Sequence, residues 1–127
     1  MKMTVVLLDT NMLLLPHKHR IDVFSEIERL ITGEHEVATL STVVDELKEI
    51  ARENNDDGIA AKVGLRLLTD KKVRVITSKG PVDDALVEYA QKDRATVCTN
   101  DRELKARLKK AGIRRVFMRG KTHLEKT

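Results

Sequence analysis

Four acidic residues stand where this chain is predicted to pass from one secondary-structure element to the next. Asp9 and Asp101 follow short apolar runs rich in β-branched residues, whereas Glu46 and Asp83 lie near the starts of amphipathic segments. In a chain that alternates strands and helices, the carboxyl ends of parallel strands and the starts of the following helices lie at one edge of the sheet. Carboxylates that are far apart in the sequence can therefore meet there.

Such a group of carboxylates would repel itself unless a cation held it together. Hard oxygen ligands suit Mg²⁺ or Mn²⁺. Two divalent ions about 4 Å apart can activate a water molecule and stabilise the leaving oxygen of a phosphodiester, so hydrolysis needs no serine or histidine nucleophile. The histidines predict no competing zinc site, because His17 and His19 lack the further ligands of a zinc motif and the other two are isolated in the sequence.

The elements that would position these acids follow from hydrophobic periodicity. The pattern predicts one domain over residues 1–127, with strands and helices in alternation and Ser41 and Thr42 capping the second helix. The strands are predicted at 4–9, 36–40, 73–77, 95–99 and 114–118, and the helices at 23–31, 42–51, 59–68, 82–92 and 101–111. This alternation predicts an α/β fold in which helices cover both faces of a parallel sheet.

Helical facing separates neighbouring acids within the predicted helices, at about 100° per residue. Asp45 lies nearly opposite the apolar arc of its helix and is explained as an exposed capping acid, whereas Glu46 lies just beyond the edge of that arc. In the predicted helix 82–92, Asp83 falls inside the apolar arc, and Asp84 falls at the margin of that arc. Facing therefore favours Glu46 and Asp83 as site residues, although capping and helix-dipole roles are the alternative for each acid.

Charge is distributed unevenly along the chain. Residues 102–127 contain ten lysines and arginines and two acids, a net charge of +8, whereas residues 1–101 contain fourteen basic and eighteen acidic residues, a net charge of −4. A basic flank beside an acidic cluster suits an enzyme that binds a phosphodiester backbone. Arg114, Arg115 and Arg119 are accordingly predicted to contact the phosphates of a nucleic acid, and a solvated basic face is the alternative.

The remaining composition predicts a cytoplasmic protein without a membrane segment. One cysteine, Cys98, permits no internal disulfide and indicates a reducing compartment. Its apolar neighbours predict a buried, inert thiol. No apolar run approaches the roughly 18 residues that a membrane helix needs, and the first apolar stretch is typical of a strand rather than of a signal peptide.

The ordered set of motifs resembles the PIN-domain nucleases. The matching segments are LLDTN at the end of the first strand, an acid in the helix after the second strand, DDALVEYA, and TND after the fourth strand. The resemblance covers nearly the whole chain, and VDDALVEYA with VCTNDRELKARLKK is especially similar to the ribosomal-RNA-processing branch and its archaeal relatives. Those relatives overlap in naming with the VapC-type toxins.

The resemblance implies a PIN-like three-layer α/β/α sandwich with a central, mainly parallel sheet of four to five strands. It also implies a homodimer and Mg²⁺- or Mn²⁺-dependent endonucleolytic cleavage of RNA, in RNA processing or as a toxin. An antitoxin or a ribosome-assembly factor is then a possible partner. Carried over, the metal ligands and catalytic acids are Asp9, Glu46, Asp101 and either Asp83 or Asp84, and the supporting polar residues are Asn11, Thr99 and Asn100.

The sequence argues against three other function classes. A non-catalytic RNA-binding or scaffold domain is disfavoured because all four acidic positions are filled. A receiver-like phosphoacceptor domain would need paired acids before the acceptor, and KMTVVLLDTN lacks them. A nucleotide-binding P-loop is excluded because the chain has no glycine-rich segment ending in GK[ST].

Overall fold

A six-stranded sheet forms the centre of the protein. The computed structural model describes residues 3–127, so the first two residues of the predicted domain lie outside it. The sheet order is β3-β2-β1-β4-β5-β6, and every neighbouring pair is parallel except β5 and β6. The strands are β1 (Thr4–Leu8), β2 (His35–Leu40), β3 (Arg74–Ile76), β4 (Thr96–Cys98), β5 (Arg115–Arg119) and β6 (His123–Lys126).

Helices cover both faces of this sheet. They are α1 (Leu15–Lys18), α2 (Val23–Leu30), α3 (Ser41–Ile50), α4 (Asp56–Asp70), α5 (Val82–Asp93) and α6 (Arg102–Lys110), with a 3-10 turn at Asn11–Leu14 before α1. The chain moves from β1 towards β3 and then returns to β4, so right-handed crossovers place α1 to α4 on one face and α5 and α6 on the other. The packing agrees with this, because α4 contacts α1 and α3 while α5 contacts α6.

The core lies along the two central strands. Val6, Leu7 and Leu8 of β1 and Val97 and Cys98 of β4 are completely buried, as expected for parallel strands that are covered on both faces. Burial raises the pKa of the Cys98 thiol far above its usual value, in keeping with the prediction of an unreactive thiol. Among the described residues, no helix is long and apolar enough to span a membrane.

The α/β fold class is confirmed, but the sheet has more strands than the four to five expected. The additional strand, β6, has no apolar run in the sequence. A turn forms it: Gly120 and Lys121 both have positive φ angles, which suits a tight hairpin and brings His123 opposite Arg119.

The prediction that Ser41 and Thr42 cap α3 was wrong. The N-cap residue is Leu40, whose side chain makes no capping hydrogen bond. The cap comes instead from the loop after β3: the backbone N–H of Thr42 donates to the Ser78 hydroxyl at 3.2 Å, and the Ser78 N–H donates to the Ser41 hydroxyl at 2.9 Å. A tertiary contact thus replaces the predicted local cap. Asp45 is exposed and takes no part in this contact.

The outer edge of β6 is closed by two side chains of α2. Glu26 accepts a hydrogen bond from the backbone N–H of Leu124 at 2.9 Å, and Arg29 donates to the Leu124 carbonyl at 2.8 Å. Both polar groups of an edge-strand residue are therefore satisfied within the chain, which protects that edge from pairing with other strands. The Arg29 guanidinium, and then the Leu124 N–H, lower the pKa of Glu26 to about 2.

Replacing Glu26 with alanine should therefore destabilise the fold by roughly 1–3 kcal/mol near neutral pH, because a charge-assisted hydrogen bond to an otherwise unpaired backbone group is lost. The contribution is fully present above the usual glutamate pKa of 4.5 and should fade as pH falls towards 2. Denaturant unfolding of Glu26→Ala at pH 7 and pH 3 measures this, with the exposed Glu34→Ala as control. An equal loss in both variants would contradict the account.

Candidate active site

Asp9 and Asp101 are brought together because β1 and β4 are parallel neighbours. Asp9 directly follows β1, and its backbone N–H donates to the Cys98 carbonyl at 3.0 Å, so the two strands are still paired where the acid stands. The segment Thr99–Asp101 continues from the end of β4 at the same edge of the sheet. The sheet geometry alone thus places both acids at the carboxyl edge.

The Asp9 carboxylate is buried at this edge, with only 4% of the residue exposed. One oxygen accepts the Thr10 backbone N–H at 2.7 Å, and the other accepts the Thr99 hydroxyl at 2.6 Å. Burial raises the pKa of Asp9 to about 6, since the two hydrogen bonds compensate only part of the lost hydration and the charges of Asp83 and Glu46 raise it further. The most buried acid of the site is therefore the one whose pKa burial raises to about 6.

A chain of polar contacts fixes the loop after β4. The Thr99 hydroxyl, which donates to Asp9, also accepts the Asp101 N–H at 3.1 Å. The Asn11 side chain accepts the Asn100 N–H at 3.1 Å, and the Asn100 side chain accepts the Met118 N–H at 2.8 Å. The three predicted supporting residues thus link β1, β4 and β5. Their part in any reaction stays a prediction.

Asp101 also begins α6. One of its carboxylate oxygens accepts the Leu104 N–H at 2.9 Å, which makes Asp101 the N-cap residue of that helix. Asp101 therefore has the capping role that is the alternative to a site role. The two roles are compatible, because a carboxylate has two oxygens and the cap occupies one.

Asp83 and Asp84 differ in their contacts with Arg107 of α6. Asp84 is exposed and forms an ion pair with the Arg107 guanidinium at 2.9 Å. Asp83 is only partly exposed. Burial raises the pKa of Asp83, and the charge of Asp101 raises it further, while Arg107 lowers it. Asp83 is therefore the member of the pair that shares its electrostatic environment with the other acids.

Glu46 and Asp45 are both exposed, so the expectation that Glu46 borders a half-buried site is only partly met. Its charge nevertheless raises the pKa of both Asp9 and Asp83. The fourth acid is thus an exposed side chain at the rim, beside two acids that are more deeply placed.

The donor set fits a hard divalent cation in its chemistry. It consists of carboxylate oxygens, and the buried Thr10 hydroxyl beside Asp9 has no hydrogen-bond partner among residues 3–127. Within the same residues, however, no three Asp, Glu, His or Cys side chains are grouped closely enough to bind one ion. A cation held by three or more of these acids would therefore require their side chains to lie closer together.

The three arginines predicted to bind RNA lie at two different edges. Arg115 is in register with Val97 of β4, and Arg114 lines a hollow with Thr4 and Thr96, at the amino ends of β1 and β4. Arg119 ends β5, roughly 13 Å further along the strand at about 3.3 Å per residue. The structure therefore places only Arg119 at the carboxylate edge.

An aromatic ring lies close to Arg119 and to a second cation, Lys105. The Lys105 ammonium is 4.9 Å from the centre of the Phe117 ring, and the Arg119 guanidinium carbon is 5.8 Å from it. Both distances allow cation–π attraction. Neither the contact of Phe117 with Lys105 nor the ion pair of Arg107 with Asp84 was predicted from the sequence, because each joins residues of different elements.

Replacing Asp9 with asparagine should leave the cation-free protein as stable as the parent or more stable. The folded protein binds the Asp9 proton more tightly than the unfolded chain, so ionisation of Asp9 costs stability as pH rises from about 4 to about 6. The cost is roughly 3 kcal/mol at most, less whatever is lost when an amide nitrogen replaces one acceptor oxygen.

Denaturant unfolding in EDTA between pH 4 and pH 8 measures this difference. The stability of Asp9→Asn relative to the parent should increase up to about pH 6 and then stay constant. A large, pH-independent loss in the variant would instead show that Asp9 is a structural residue.

Comparisons with known proteins identify the family of the chain. A family model described as a PIN-like domain matches residues 6–121. Ribonuclease VapC4 of Methanocaldococcus jannaschii is 31% identical over 121 residues, covering 92% of each protein. Ribonuclease VapC9 of Archaeoglobus fulgidus is 29% identical over 113 residues, covering 88% of this chain and 81% of that protein.

Two solved structures share the fold. The PIN-domain endonuclease Utp24 superposes with a TM-score of 0.80 at 23% identity, covering 96% of this chain and 90% of the other. A chain of the Rickettsia felis VapBC2 complex, solved with a DNA fragment from its promoter, gives a TM-score of 0.59 at 16% identity, covering 81% and 92%. On the family match and the archaeal relatives together, the chain belongs to the PIN-like domain family.

Proposed function

We propose that this protein is a divalent-metal-dependent endoribonuclease that hydrolyses RNA phosphodiester bonds. The observation that carries the proposal is the buried Asp9 carboxylate, whose pKa is raised to about 6 at an edge where the charges of Asp83 and Glu46 also act on it. Strongly shifted acids in a cluster are typical of functional sites. The relatives named ribonucleases, and the shared fold of a PIN-domain endonuclease, support the same reading.

In this proposal Asp9, Glu46, Asp83 and Asp101 would hold Mg²⁺ or Mn²⁺. When bound, the metal would supply an activated water molecule and neutralise charge on the phosphate and the leaving oxygen. The chain's own contribution is orientation: Thr99 holds one oxygen of Asp9, and the Asn11–Asn100 contact keeps the Asp101 segment beside it. By fixing the positions of these carboxylates, the contacts would fix where the cation is held and therefore where a phosphate bound to it can lie.

The activity is tested with labelled RNA and purified protein, with Mn²⁺ or Mg²⁺ and with EDTA. We expect internal cleavage only with the metal, and loss of cleavage in Asp9→Asn. Cleavage that is equal in EDTA would contradict the metal-dependent mechanism. RNA binding without any cleavage would favour the alternative, a non-catalytic RNA-binding or scaffold domain.

The neighbouring acids provide matched pairs. Asp83→Asn should remove most of the activity, whereas Asp84→Asn should remove less, because Asp84 is paired with Arg107. Likewise Glu46→Gln should be damaging and Asp45→Asn nearly silent. Single-turnover cleavage rates at saturating metal compare the four variants. If Asp84→Asn proves the inactive member of its pair, the ligand is Asp84 and the assignment by facing is wrong.

The RNA-binding surface is proposed to include Arg119 and Lys105 rather than the whole basic quarter of the sequence. Arg119→Gln should weaken RNA binding in EDTA and lower the log–log salt slope by roughly 0.7, one phosphate contact on a single strand. Arg114→Gln is the matched control at the opposite edge and should change neither quantity. Equal effects in the two variants would mean that RNA is held elsewhere or along both edges.

We further propose a homodimer, and either an antitoxin or a ribosome-assembly factor as protein partner. Light scattering after gel filtration measures the oligomeric state. The genome neighbourhood separates the two roles, since a small overlapping upstream gene would indicate an antitoxin and its absence would favour RNA processing.

A further inference from the structure

A recess opens at the carboxyl ends of β2 and β3, towards the β3 side of the sheet. It has a volume of about 290 Å³. Its walls are the end of β2, the loop after β3 and one flank of α5: Leu40, Thr77, Ser78, Lys79, Ala85, Glu88, Tyr89 and Lys92. We call this recess the β3-side cleft.

The cleft has the chemistry of a nucleotide site. Tyr89 supplies an aromatic ring, while Lys79 and Lys92 supply cations against the single acid Glu88. The Tyr89 ring is half-buried against the core, so part of the ring remains accessible to a ligand. Aromatic rings with flanking cations bind single-stranded nucleic acid through base stacking and phosphate contacts.

The walls of the cleft are also fixed before any ligand binds. The Ser78 hydroxyl, which lies in the cleft wall, contacts the Thr42 hydroxyl at 2.8 Å and accepts the Thr42 N–H. The loop after β3 is thereby tied to the start of α3, the helix that carries Glu46. A pre-formed pocket loses less entropy on binding than a flexible one.

One end of the cleft lies at the carboxyl edge of the sheet, where the acids also stand. Ala85 lies in the same first turn of α5 as Asp83, and Leu40 directly precedes α3. On the other side of the carboxylates lies the Phe117 ring with Lys105 and Arg119. From β3 to β5 the sheet spans four strand spacings, roughly 19 Å, so the two aromatic groups flank the acids on opposite sides.

We propose that the β3-side cleft binds one nucleotide of a single-stranded RNA substrate beside the phosphate to be cleaved, with Tyr89 stacking on the base and Lys79 and Lys92 contacting phosphates. This inference rests on the proposed ribonuclease function and specifies how its substrate is held. The strand then crosses the carboxylate edge towards Phe117. Stacking on Tyr89 requires a base whose face is exposed, so the substrate class is unpaired RNA.

The test uses the full chain in EDTA with a short fluorescein-labelled single-stranded RNA, measured by anisotropy at several salt concentrations. Tyr89→Leu keeps an apolar side chain but removes the ring, and it should weaken binding roughly 5- to 150-fold. Tyr89→Phe keeps the ring and should bind like the parent. Lys79→Gln combined with Lys92→Gln should lower the log–log salt slope by about 0.7 for each lost contact.

Two controls separate this inference from a general loss of folding or charge. Lys62→Gln removes an exposed cation from α4, on the opposite face of the sheet, and should leave affinity and slope unchanged. Lys79 is also exposed, so the lysine variants test the cleft even if Tyr89→Leu lowers the thermal midpoint.

The outcomes distinguish the two proposals. If the parent cleaves RNA with metal and the cleft variants bind and cleave as it does, the nucleotide site is refuted while the ribonuclease function stands; the cleft then serves another contact, such as a protein partner. If the parent cleaves nothing but the cleft variants lose binding, the site stands and the function falls. No RNA binding by the parent overturns the nucleotide site.

Discussion

The Asp9 carboxylate carries its charge where the sheet is most deeply buried, and the arrangement of the site depends on that placement. Directly before it stand three residues of β1 that are completely inaccessible to solvent. Two hydrogen bonds, from Thr10 and Thr99, replace only part of the lost water, so the proton is held up to about pH 6. A cation beside a buried carboxylate stabilises its charged form, because burial has removed most of the water that would otherwise do so.

The fold that buries Asp9 also brings other acids to the same edge of the sheet. Parallel pairing of β1 with β4 brings the Asp101 segment beside Asp9, and the helix that begins at Val82 adds Asp83 from above the same edge. The charge of Asp83 makes ionisation of Asp9 more costly, and the charge of Asp101 makes ionisation of Asp83 more costly, so this arrangement lowers the stability of the cation-free protein. The contacts of Asn11 and Asn100 hold the strand ends in this arrangement.

The features that depend on local sequence pattern could be predicted from the sequence. The continuous apolar runs of β1 and β4 predicted buried parallel strands, and the parallel order then predicted where Asp9 and Asp101 meet. Facing within α5 favoured Asp83 over Asp84, and the ion pair of Asp84 with Arg107 points in the same direction.

The parts that sequence reasoning missed depend on tertiary contacts. Ser78 caps α3 across more than thirty residues of chain, and no local pattern encodes that. β6 is specified by a turn and by the Glu26–Arg29 contacts with Leu124 rather than by its own hydrophobicity. The basic quarter of the sequence is divided between two edges of the sheet, because Arg114 and Arg119 stand at opposite ends of one strand.

The central claim, that a divalent cation binds at the buried Asp9 carboxylate, is tested most directly by counting protons. Calorimetric titration of the protein with Mn²⁺, in buffers that differ in ionisation enthalpy, gives the number of protons released for each ion bound. We expect release of about half a proton near pH 6, where Asp9 is half protonated, and almost none at pH 8. Asp9→Asn should abolish the pH 6 release. Binding with the same proton release at both pH values, or undiminished binding in Asp9→Asn, would contradict the account.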